Sequence, residues 1–141
     1  MKKLCKDFFD SKELLFIGYS HRNEKFCKQV FQALVNSGIE VYPMNNKSSS
    51  GFDVKVYKDF SELPKVPKCA YLLINKENTR KIINQLKEHG VERVLFQNNK
   101  VFDSAILEEC SAKGIETAVA CPMMLFGSGF HKIHAFFAGI R

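Results

Sequence analysis

Five short apolar runs, each followed by a stretch of different periodicity, are the feature that most narrows the folds open to this chain. ELLFIG (13–18), IEVYPMN (39–45), CAYLLIN (69–75), VERVLFQ (91–97) and IETAVA (115–120) have the length and character of strands buried on both faces. KFCKQVFQALVNSG (25–38) puts Phe26, Val30, Ala33 and Leu34 on one helical face and stops at Gly38. KENTRKIINQLKEHG (76–90) turns Ile82, Ile83 and Leu86 inward, and VFDSAILEECSAKG (101–114) reads as another helix. The interval after the second run differs: NNKSSSG (45–51) is an exposed loop, and VKVYKDFSELP (54–64) is a short extended piece with one helical turn. This alternation predicts an open α/β sheet, mostly parallel and five-stranded, with right-handed crossovers.

A length of 141 residues suits one domain, with an N-terminal helix within 1–12 and a core over 13–141. A C-terminal helix is expected over FHKIHAFFAGI (130–140). Hydrophobic residues make up 45% and charged ones 26%, a globular rather than a disordered balance. No apolar run approaches the roughly 18 residues that would cross a bilayer, and Lys6, Asp7 and Asp10 interrupt any signal-peptide core, so the expected location is the cytoplasm. The five cysteines are odd in number and none forms a C-x-x-C, which predicts reduced thiols. The net charge of +6 is scattered along the chain. It leaves anionic ligands and nucleic acid both open, although no helix-turn-helix or RNA-binding motif is visible.

In sheets of this kind ligands bind just beyond the carboxyl ends of the strands. The first strand leads into Gly18-Tyr19-Ser20, then His21-Arg22-Asn23-Glu24-Lys25 at a helix start, where free N–H groups suit a phosphate. Gly18 permits a tight turn, Ser20 offers a hydroxyl, and Arg22 or Lys25 adds charge. The pattern is weak by itself, and a plain strand–loop–helix turn reads the same way. The second strand ends in Asn45-Asn46-Lys47, without the carboxylate an NAD site usually places there. A phosphorylated adenosine ligand is favoured instead. The middle strands end in Asn75-Lys76 and Gln97-Asn98-Asn99, uncharged amides for the most part. No carboxylate pair and no Ser–His–Asp order stands at these ends, so acid–base machinery is not apparent.

FIGYSHRNEKF, VYPMN, GFDVKVYKDFSELP and CPMMLF, in this order and spacing, resemble the small stand-alone CoA-binding domain proteins. Those are Rossmann-like domains similar to the CoA-binding domain of the succinyl-CoA synthetase alpha subunit. The resemblance runs from about residue 13 onward and implies a three-layer sandwich with helices on both faces. It implies Gly18, Ser20, Asn23 and Lys25 for phosphates and Pro43 and Asn45 beside the adenosine. Tyr19 and Phe26 fall within the same loop and helix start, Asn75 and Lys76 line the crevice, and Gln97 and Cys121 stand at its rim. Glu24 occupies the place of the family's proline, and Phe26 that of a small residue.

Cys121 directly follows the last strand, where a lowered pKa would make it reactive; a packed structural thiol is the commoner case. His131 and His134 stand one helical turn apart, too few ligands for a tetrahedral zinc site, so no metal is expected. With Phe136 and Phe137 they would suit a homodimer contact. The expected function is non-catalytic binding of CoA, acyl-CoA or a related adenine nucleotide. The alternatives are a thiol-dependent enzyme or transferase using Cys121 with His131 or His134, and a nucleotide-responsive regulator.

Overall fold

A computed structural model describes residues 12–126. The expected N-terminal helix and the C-terminal segment with His131, His134, Phe136 and Phe137 lie outside the described residues.

The five strands are β1 (Glu13–Ile17), β2 (Glu40–Met44), β3 (Cys69–Leu72), β4 (Arg93–Phe96) and β5 (Glu116–Val119). Between and after them stand helices α1 (Glu24–Asn36), α2 (Lys76–Glu88), α3 (Ser104–Ala112) and α4 (Pro122–Phe126), with a short 3-10 turn at Phe60–Glu62. All four strand pairings are parallel, in the order β2-β1-β3-β4-β5. The expected mostly parallel sheet is therefore parallel throughout its described strands.

Burial on both faces explains the continuous apolar runs. Leu14 and Phe16 of β1 point toward α1, packing with Tyr19, Val30, Leu34 and Tyr71. Leu15 and Ile17 point the other way, into a cluster with Phe60, Ile83, Leu86 and Ile106 from the 3-10 turn, α2 and α3. Helices thus cover both faces, in three layers. Among the described residues no helix is long and apolar enough to cross a membrane.

Capping residues set two helix starts. The Asn75 carboxamide oxygen accepts from the Asn78 N–H at 2.8 Å, and the Asp103 carboxylate accepts from the Ile106 N–H at 2.9 Å. β3 stops at Leu72, and Asn75 belongs to the start of α2 rather than to the strand. Pro43 lies inside β2. Its carbonyl accepts from the Tyr57 N–H at 2.9 Å on the outer side, so the N–H it lacks would also have pointed away from β1.

The chain leaves β1 for β2 on one side, then passes back to β3 on the other, creating a switch point between β1 and β3. Gly18 sits there with φ +104°, its N–H donating to the Met44 carbonyl at 3.0 Å. A Cβ at Gly18 would lie 2.2 Å from the Leu73 carbonyl oxygen, a backbone atom that cannot step aside. Gly18→Ala is expected to cost at least ~3 kcal/mol. Gly38→Ala, where φ is +85° but no atom lies within 4 Å, should cost only ~1 kcal/mol. Thermal unfolding of the two variants side by side checks the difference.

Candidate functional site

A cleft of about 580 Å³ opens at the carboxyl ends of β1, β2, β3 and β4, astride the switch point. Gly18 and Ser20 to Asn23, His21 among them, form one part of its wall, and Asn45 to Ser48 form another. Leu73, Ile74 and Asn75 floor it beyond β3, with Asn78 and Lys81 reaching in from α2. Lys58, Asp59 and Phe60 close it beside the 3-10 turn, and Asn98 and Lys100 beyond β4.

Charge is the chief chemical property of this cleft. Arg22, Lys47, Lys58, Lys81 and Lys100 line it against one carboxylate, Asp59. Asp59 is already engaged, accepting from the Ser61 N–H at 3.0 Å and from the Ser61 hydroxyl, bonds that hold its carboxyl below the usual range. Among the described residues none of the five cations stands in an ion pair. Unpaired cations converging on a concave surface attract an anion strongly, because low-dielectric walls focus the field.

The first turn of α1 adds to this. Asn23 makes no side-chain cap, whereas Asn75 and Asp103 cap α2 and α3. Ser20 accepts only a long 3.4 Å bond from the Asn23 N–H, so its hydroxyl retains capacity for a further partner.

The strand-end amides prove to be builders of the cleft. The Asn45 side chain donates to the Tyr19 carbonyl at 2.9 Å and accepts from the N–H groups of Lys47 and Ser48 at 2.9 and 3.3 Å. It folds the loop that presents Lys47. Asn75 caps α2, and Asn98 accepts from the Lys100 N–H at 2.9 Å. Gln97 accepts from the Tyr71 hydroxyl, which burial and the nearby Cys121 and Cys27 push upward in pKa.

Of the residues singled out in the sequence, Gly18, Ser20, Asn23, Asn45 and Asn75 line the cleft. Lys25 and Lys76 are exposed elsewhere, and Pro43 is buried within β2. Tyr19 is fully buried, its ring edge-on to Phe16, Phe31 and Phe52, and its hydroxyl is pushed up to about 12, chiefly by burial. Phe26 packs against the α1-side core instead of narrowing the cleft. Glu24 turns to His21 and Lys28, at 2.9 and 3.3 Å, and is not part of the cleft wall. Gln97 and Cys121 are half-buried and are not in the wall. Sequence reasoning missed Lys58, Asn78, Lys81 and Lys100. Only the helical spacing of Asn78 and Lys81, three apart from the start of α2, hinted at a shared face.

A parallel sheet with its cationic cleft at a topological switch point defines a domain of the nucleotide-binding α/β class. The chain belongs to the CoA-binding domain family, whose sequence profile matches residues 12–126. It is 29% identical over 90 residues to the alpha subunit of an ADP-forming acetate–CoA ligase II from Pyrococcus furiosus, a match covering 63% of this chain. The match takes in only 20% of that relative's length. A Thermus thermophilus protein superimposes with a TM-score of 0.74 at 12% identity, covering 93% of this chain and 96% of its own. A Ca. Korarchaeum cryptofilum acetyl-coenzyme A synthetase, solved with phosphate and ADP, gives 0.64 at 18% identity, covering 82% of this chain and 27% of its own. At those identities the likeness to the solved structures is one of fold.

The thiols separate by environment. Cys27, Cys69 and Cys110 are buried, and burial raises all three, Cys69 to about 12 and Cys110 to about 11. Cys121 is half-exposed. Brief iodoacetamide treatment of the native protein at mildly alkaline pH is expected to label Cys121 and spare those three, as read by peptide mass spectrometry.

Proposed function

We propose that this domain binds CoA or an acyl-CoA in the cleft at the switch point and catalyses no reaction of its own. The observation that carries this reading is the set of five unpaired cations lining one cleft, in a chain of the CoA-binding domain family. CoA bears a pyrophosphate and a ribose phosphate, so its nucleotide half needs several cations spread over one surface. Lys47 beyond β2, Lys81 on α2 and Lys100 beyond β4 offer such a spread. Arg22 and the uncapped first turn of α1 offer N–H donors between them.

The non-catalytic part of the reading rests on what faces the cleft: basic residues, amides, serines, one engaged aspartate, and His21, both of whose ring nitrogens are already held by Glu24 and the Ser50 carbonyl. Cys121 is not in the wall. The unpaired state of the four described cysteines suits a reducing compartment, and the cytoplasm is the proposed setting.

A thermal-shift series with CoA, acetyl-CoA, NAD, NADP and AMP tests the reading. CoA at a hundredfold excess over Kd should stabilise the fold by about 2.7 kcal/mol, and NAD should give the smallest shift of the dinucleotides. Lys47→Ala and Lys81→Ala should each weaken CoA binding about fivefold, with the loss shrinking as salt is raised. No shift with any of the five compounds at millimolar concentration overturns the proposal.

A further inference from the structure

His21 stands where the cleft wall is fastened to α1. Its Nδ1 lies 2.9 Å from Oε1 of Glu24, and its Nε2 lies 2.9 Å from the Ser50 carbonyl oxygen. Both partners are acceptors only, so both ring nitrogens must donate. A neutral imidazole has one N–H; the imidazolium has two. The ring also stacks flat on Phe52, centroids 3.8 Å apart and planes within 4°. A cation over an aromatic face gains further from the ring quadrupole.

We propose that His21 is a proton-dependent positioning residue: as imidazolium it clamps the 45–53 loop to α1, and its deprotonation loosens the wall that presents Asn46, Lys47 and Ser48 to the ligand. The proposal rests on the CoA reading for its ligand, not for its geometry.

The Glu24 carboxylate favours the protonated ring. Glu24 meets it from α1, and Lys28 pairs with Glu24 and with Asp53 of the loop at 3.3 and 3.4 Å. Arg22, its neighbour in sequence, points into the cleft. Tyr19, behind Phe52, stays neutral because its hydroxyl is raised to about 12. The Glu24 bond, then the Ser50 carbonyl, lift the His21 pKa above its ordinary 6.5. The clamp is therefore complete below the ordinary value and is lost as pH rises through the raised one. Because the ring is exposed, its effect should be that of a surface contact, about threefold in affinity.

The test uses the full chain, its His21→Gln variant and its His21→Phe variant, with CoA binding measured by calorimetry near pH 6 and pH 9. Gln keeps a donor for Ser50 that does not titrate, and Phe keeps only the stack. CoA itself gains negative charge over this range, equally for all three proteins. Wild type should lose about threefold more affinity than His21→Gln between the two pH values, and His21→Phe should bind weakly at both. Equal pH slopes in wild type and His21→Gln overturn the clamp. Amide hydrogen exchange of residues 46–53 without ligand separates the two proposals. Exchange that accelerates with pH more in wild type than in His21→Gln supports the clamp even if CoA fails to bind. Identical profiles overturn it whatever CoA does.

Discussion

The absence of a side chain at Gly18 lets three strands meet. Its N–H is bound to Met44 at the end of β2, while the Leu73 carbonyl beyond β3 occupies the space a Cβ would need. Leu73 in turn donates to the Ile17 carbonyl at 2.9 Å, so β1 is tied to both neighbours at its last residue. The turn also reverses the chain sharply enough for Tyr19 to re-enter the core and Ser20 to face the cleft. Loop, helix start and switch point share a single steric condition.

The five strands were legible because a parallel sheet buried on both faces writes itself as uninterrupted apolar runs. Their ends were not. Asn75 read as lining the crevice and does line the cleft, but a carboxamide in sequence looks the same whether it meets a ligand, caps a helix as Asn75 does or closes a turn as Asn98 does. Lys25 read as a phosphate contact because it follows the loop, yet the onset of helix rotates it out of the cleft while Arg22 and Asn23 remain in its wall. Lys58 and Lys81 were invisible for another reason. They come from segments far from the glycine loop, and only the crossover past β1 brings them together.

The cleft divides its labour between amides and cations. Asn45, Asn75 and Asn98 spend their hydrogen bonds on the backbone, and this frees the basic residues beside them from structural duty. Glu24 follows the same logic from the outside. A carboxylate at the start of α1 would oppose a bound phosphate, but its oxygens are satisfied by His21 and Lys28, and Glu24 itself is not in the wall.

Pro43 and the Tyr57 bridge bear on how this sheet meets other chains. Of the outward-facing positions on β2, Pro43 has no donor, and Asn45 is bonded to Tyr57 at 2.9 Å. Only Val41 directs a free N–H and C=O outward among the described residues of that strand. A bare edge is a template on which a stray strand can nucleate, and two paired groups cannot set a register. The β2 margin is thereby guarded against runaway strand addition.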